Sequence, residues 1–190
     1  MTGRVRLAEP ADAAPVAAIY APIVSGTWIS FEEHAPGVDE MRGRIERATG
    51  IWPFLCFERD GSVAGYAYAS PHRERAAYRW SVDVSVYVAE TSRRGGVARR
   101  LYEALFAILR AQGYYNALAG ITLPNDASVG LHRRLGFSDV GIYRNVGYKL
   151  GAWRDTIWMQ RPLRELQGTP NEPIPLRALS DDVLAACVTG

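Results

Sequence analysis

The chain has 190 residues, 48% of them hydrophobic and 22% charged, with a formal net charge of +2. That is the balance of one globular domain with a real core, and it excludes a nucleic-acid binder defined by a basic surface. No apolar run reaches the length of a membrane span and no signal-peptide pattern opens the chain, so a cytoplasmic protein is expected.

Residues 3–8 alternate apolar and polar and read as a first strand. Pro10 and Asp12 open a helix whose apolar positions include Val16, Ile19, Tyr20 and Ile23. The segment Ser25 to Pro36 carries Trp28, Ile29 and Phe31 between polar residues, which suits a loop with aromatic anchors, and a polar helix follows over about 39–48. Residues 52–58 form a strand, Asp60-Gly61 a turn, and residues 63–70 the returning arm of a hairpin.

The span 77–89 reads as one long strand, with Trp80, Val82, Val84, Val86 and Val88 on one face and Ser81, Asp83, Ser85 and Tyr87 on the other. Gly95 and Gly96 then precede a periodic helix to about residue 112, with Leu101, Leu105, Ile108 and Leu109 as its core stripe and Gly113 as its stop. A short strand over 116–122 follows, then a helix capped by Asn125-Asp126 and stopped by Gly136. Two strands are expected at about 137–147 and 153–161. Prolines 162, 170, 173 and 175 suggest an extended tail, with a short helix over 180–188. The order is mixed α/β with an antiparallel end.

Cys56 and Cys187 are far apart and form no disulfide framework or zinc spacing; Cys56 lies in an apolar run and suits a buried thiol. His34, His72 and His132 are scattered without metal-ligand spacing, so no metal is expected. The chemical signal lies in Arg93-Arg94-Gly95-Gly96-Val97-Ala98, between strand and helix. A helix N-terminus offers unpartnered N–H groups and partial positive charge, and small residues let phosphate oxygens approach. Taken alone the turn fits a plain helix start equally well. The P-loop signature is absent, and the glycines do not form an early dinucleotide-binding fingerprint.

Context adds more. The R-x-x-G-x-A pattern follows Val84-Ser85-Val86-Tyr87-Val88 and resembles the pyrophosphate-binding motif of GNAT acetyltransferases, and residues 125–137, from Asn125-Asp126 through His132 to Gly136-Phe137, resemble that family's second block. Residues 76–83, Leu123-Pro124-Asn125-Asp126 and residues 147–155 are similar to the phosphinothricin and methionine sulfoximine N-acetyltransferases. The resemblance implies an α/β (α+β) GNAT fold over residues 1–163, a mixed, mostly antiparallel twisted sheet splayed in the middle and flanked by helices, with 164–190 as a proline-containing C-terminal tail.

It further implies acetyl-CoA as acyl donor and direct transfer to a primary amine. The residues implied to hold the donor are Val86, Tyr87, Val88, Arg93, Arg94, Gly95, Gly96, Val97, Ala98, Arg99, Asn125 and Ser128. Asp83 stands where the similar enzymes carry glutamate, and is the implied base, direct or through water; a substrate-orienting or structural carboxylate is the other reading. His132 is the implied acid or base at the leaving thiolate, with Tyr143 as a second candidate acid. Arg75 is the implied partner of a substrate carboxylate, Phe31, Trp28 and Tyr78 are candidate pocket walls or core, and Lys149 is a further substrate candidate. A homodimer is implied. The open alternatives are a GNAT enzyme for another small amine or a protein N-terminus, or a non-catalytic acyl-CoA-binding module.

Overall fold

The computed structural model describes residues 3–166 and 168–189; Met1, Thr2, Gln167 and Gly190, the outermost or isolated parts of the expected domain and tail, lie outside the described residues. A seven-stranded sheet runs in the order β1-β2-β3-β4-β5-β7-β6, with β1 Arg4–Leu7, β2 Phe54–Arg59, β3 Ser62–Pro71, β4 Ser81–Val88, β5 Asn116–Thr122, β6 Ser138–Lys149 and β7 Ala152–Pro162. All neighbours are antiparallel except β4 and β5. The helices are α1 Ala13–Gly26, α2 Val38–Ala48, α3 Val97–Gln112, α4 Asp126–Arg134 and α5 Asp181–Thr189.

The two-residue period of the strands sorts side chains into two cores. On β2, Leu55 and Phe57 enter a core shared with α3, α4 and α5, whereas Phe54 and Cys56 enter a second core under α1 and α2. The expected α3 stripe holds: Leu101, Leu105, Ile108 and Leu109 are each 0% exposed. Burial of this kind is worth about 1.5–3 kcal/mol per side chain.

Two expectations change. The fourth strand starts at Ser81, not near residue 77, because Ala76–Tyr78 form a turn of 3₁₀ helix. Trp80 therefore stands outside the valine ladder; its indole donates to the Asn171 carbonyl at 2.8 Å, and its own carbonyl receives Tyr115 N–H at 2.9 Å. The segment after residue 163 is built into the body. Ile174 N–H bonds Gln112 O at 2.8 Å, Leu176 N–H bonds Ile51 O at 3.0 Å, and the Gln112 amide donates to the carbonyls of Ile51 and Ile174. Leu176 is buried in the α3 core, with Leu184 and Cys187 packed against it.

Candidate active site

The parallel pair β4–β5 is short. It joins Ser81 to Asn116, Val82 to Ala117 and Asp83 to Leu118, and no further. Beyond Asp83, β4 stays paired to β3 through Val88, while β5 pairs with β7 through Thr122. The sheet thus opens into a wedge whose two edges have backbone groups with no strand partner across the gap. A groove of about 380 Å³ fills it, lined by Val84 to Tyr87, Ala119 to Thr122, Tyr102, Asn125, Ser128 and His132.

The amino end of α3 closes the first end of this site. Arg94 and Gly96 take positive φ, 62° and 76°, and turn the chain sharply into the helix. Glycine adopts that geometry without steric cost. No side chain caps the helix, so its first N–H groups are left for an anion. Val97 is buried in the core, and Arg99 pairs with Glu103 at 2.7 Å, so both serve this turn through their backbone. Arg93, Arg94, Gly95 and Gly96 are exposed around it, and Ala98 is half-buried. The side chain of Tyr87 turns into the second core against Tyr20, with ring centroids 4.9 Å apart.

At the amino end of α4, Asn125 accepts the N–H of Ser128 at 3.2 Å. One turn on, His132 is only 3% exposed. Its Nδ1 lies 2.8 Å from the Ser128 carbonyl, which can only accept, so Nδ1 carries the proton and Nε2 accepts from Tyr102 Oη at 3.1 Å. Burial lowers the His132 pKa, opposed by the Ser128 bond, and keeps the ring neutral. Tyr102, whose hydroxyl pKa is pushed up by burial, lines the groove beside it; nothing in the helix pattern sets it apart from the core stripe around it.

The other end of the wedge begins at Asp83. Asp83 Oδ1 lies 2.7 Å from His72 Nδ1. Burial raises the Asp83 pKa, and the His72 bond and the charge of Arg73 pull it back down. His72 was legible only as a lone histidine. It sits where β3 ends, on the sheet face that also carries Asp83, since Ser70 is the register partner of Asp83. The rings of Tyr78 and Trp158 meet it edge-on at 5.8 and 5.7 Å. Tyr143 lies beyond Trp158, 6.1 Å between centroids and half exposed, and makes no contact with His132.

On the same face, a cavity of about 680 Å³ is bounded by Tyr20, Arg44, Arg47, Tyr66, Tyr68 and Ser70 among others. Arg44 is committed to Glu32 and Glu40; Arg47 and Arg75 have no carboxylate partner among the described residues. Trp28 donates to the Pro124 carbonyl at 3.1 Å and Phe31 lies on Gly147, where an added Cβ would sit 2.4 Å from the ring. Lys149, expected at the substrate, is placed elsewhere. Its Nζ donates to the carbonyls of Val24, Ser30 and Glu32 at 2.7, 2.6 and 2.6 Å, which uses all three of its donors. It shapes the loop that presents Phe31 and has no hydrogen left for a ligand.

Among the described residues no cluster could hold a metal ion, and no helix is long and apolar enough to cross a membrane. The family described as the acetyltransferase (GNAT) domain matches residues 5–158. A phosphinothricin N-acetyltransferase of Alcaligenes faecalis is 41% identical over 162 residues, 84% of this chain and 82% of the relative. A methionine sulfoximine/methionine sulfone acetyltransferase of Pseudomonas aeruginosa is 35% identical over 90% of this chain and its own whole length. The crystal structure of a phosphinothricin acetyltransferase from Sinorhizobium meliloti, in complex with acetyl-CoA, superposes with a TM-score of 0.87 at 36% identity, covering 94% of this chain and 98% of that one. With the splayed sheet and the uncapped helix start already in place, these likenesses identify the chain as a GNAT N-acetyltransferase, dependent on acetyl-CoA and of the phosphinothricin and methionine sulfoximine acetyltransferase type.

Proposed function

We propose that the protein acetylates the primary amine of a small amino acid analogue of the phosphinothricin, methionine sulfoximine or methionine sulfone kind. The observation that carries this reading is the wedge beyond Asp83: an uncapped helix start at one end and a half-buried carboxylate at the other. The residues fit acetyl-CoA. The N–H groups that open α3, with Arg93 and Arg94 at the rim, suit its pyrophosphate, and the free edges of Val86 and Val88 suit the amides of its pantetheine arm. Asn125 and Ser128 border the same groove. When bound, acetyl-CoA supplies the acetyl group as a thioester.

The protein's own part is to orient the amine and manage its protons. An ammonium cannot attack, so a base is needed, and Asp83 stands at that point. Buried His132, held neutral, and the Tyr102 hydroxyl bonded to it border the groove where a thiolate would leave. Arg47, which lines the cavity, and Arg75, both free of carboxylates among the described residues, suit the acid group of such a substrate, with Phe31 and Tyr78 as its walls by the family resemblance. Tyr143 is reserved for the rim through Trp158. Exposed apolar side chains on the β6–β7 hairpin, with Val140 59%, Tyr148 60% and Trp153 62% exposed, support a homodimer through that face.

The test follows free thiol release from acetyl-CoA across a panel of amines. Turnover with methionine sulfoximine or phosphinothricin is expected. Turnover confined to unrelated amines or peptide N-termini would overturn the substrate class; Asp83 in place of the glutamate of the similar enzymes is the feature that favours this second reading. Sedimentation of the purified protein tests the dimer, and a monomer at micromolar concentration would sink it.

A further inference from the structure

We propose that His72 is the proton acceptor of the reaction and that Asp83 holds it in place, so that the two act as one base. The proposal rests on the acetyltransferase reading. It starts from reach. Aspartate is one methylene shorter than the glutamate implied at this position, and its Oδ1 is already taken by His72 Nδ1 at 2.7 Å. The imidazole places a second basic nitrogen one ring beyond the carboxylate. Its side chain is 11% exposed and that of Asp83 is 29% exposed, so neither is sealed from solvent.

The geometry also fixes the proton. Facing a carboxylate, Nδ1 carries hydrogen, which leaves the lone pair on Nε2. Among the described residues Nε2 has no hydrogen-bond partner. The ring itself cannot swing freely. Tyr78 and Trp158 meet it edge-on from two sides, and its backbone N–H bonds the Ser81 carbonyl at 3.4 Å. A half-buried carboxylate, an oriented imidazole and an open Nε2 are the parts of a base–orienter pair.

The proton count is simple. One N–H bond of the bound ammonium breaks, its electron pair stays on nitrogen, and the proton passes to Nε2. The resulting imidazolium is stabilised by the Asp83 carboxylate and gives the proton to solvent. As the nitrogen–acyl bond forms, the carbon–sulfur bond breaks with its pair on sulfur, and the second N–H proton of the ammonium ends on that sulfur. The charged and titratable groups around the pair are Arg73 beside it, which lies 5.6 Å from the Trp158 ring, the hydroxyl of Tyr68 on β3, and Tyr78. Arg73 opposes the imidazolium, and Asp83 favours it.

His72→Phe keeps a ring between Tyr78 and Trp158 and removes both nitrogens. The expected result is a roughly 100-fold fall in kcat/KM for the amine at neutral pH, with the KM for acetyl-CoA unchanged. The acid limb of the pH profile should shift as well. Adding Asp83→Glu to His72→Phe should recover about ten-fold, because the longer carboxylate reaches the amine without the ring. A His72→Phe protein with wild-type rate and pH profile would overturn the proposal. Nitrogen NMR of the unliganded wild type gives a readout apart from activity. The Nδ1–H tautomer for His72, lost in Asp83→Asn, supports the pair, and an Nε2–H tautomer overturns it. Wild-type protein that turns over no amine overturns the acetyltransferase reading; wild-type turnover with an unaltered His72→Phe overturns only the role of His72.

Discussion

Replacing Lys149 with methionine keeps the length of the side chain and deletes its ammonium. In the structure that ammonium is the common donor to three carbonyls, of Val24 at the end of α1 and of Ser30 and Glu32 in the following loop. The side chain comes from the end of β6, so it staples the hairpin to the loop that carries Phe31. A hydrogen bond to a charged group contributes about 1.5–3 kcal/mol net. Three on one atom do not add fully, and the burial that pushes the Lys149 pKa down is a cost that the substitution removes. A net loss of about 3 kcal/mol is therefore expected. For a domain of this size that lowers Tm by roughly 6–12 °C. Scanning calorimetry of wild type and Lys149→Met reads it directly. The same variant should raise the KM for the amine several-fold and leave that for acetyl-CoA alone, because Phe31 is proposed as a wall for the amine and not for the donor. A loss of less than about 2 °C, with amine KM unchanged, would refute the staple.

Gly147→Ala places a Cβ 2.4 Å from the Phe31 ring, so the ring must swing away; steady-state kinetics should show a higher amine KM with near wild-type acetyl-CoA KM, and an equal rise in both would refute the assignment. Gly96→Asp puts a carboxylate against the N–H groups that open α3, at a φ of 76° that aspartate tolerates better than most residues. Calorimetric titration should show acetyl-CoA binding weakened by about ten-fold or more in an otherwise folded protein. Burial lowers the His132 pKa below the ordinary 6.5, so between the two values the unfolded chain binds more protons and stability falls as pH drops. His132→Gln lacks that slope: its urea midpoint should approach or pass the wild type as pH falls from about 7.5 to 5, and parallel curves at all pH values would refute the neutral buried ring.

Strands and helices were legible where burial follows a simple period. Alternation marks β2 because Leu55 and Phe57 face one core and Phe54 and Cys56 the other, and the α3 stripe repeats at helical spacing over one core. Alternation misled at the start of β4. Trp80 continues the apolar pattern, but its partners are Asn171 and Tyr115, distant segments that no local pattern encodes. The end of the chain reads as a loose tail from its prolines, yet Gln112, on α3, satisfies two carbonyls at once and seats Leu176 in the core.

The two halves of the site differ in the same way. The donor half is made of backbone: an open strand edge, a glycine turn with positive φ, and free N–H groups at a helix start. Such features need particular residues at consecutive positions, so Gly95, Gly96 and the valine-rich strand announce them. The proposed acceptor half is made of side chains brought together by register. His72 and Asp83 are separated by a loop whose course decides whether they meet, and Lys149 finds its three carbonyls more than a hundred residues away. A lone lysine beside a candidate pocket reads as a ligand for substrate, because sequence displays its charge and hides its acceptors. The same asymmetry explains why motifs along the chain carry a family resemblance that implies the acyl donor, while the amine stays open. Main-chain geometry follows from consecutive residues, whereas the pairing of Asp83 with His72 depends on the register of β3 on β4.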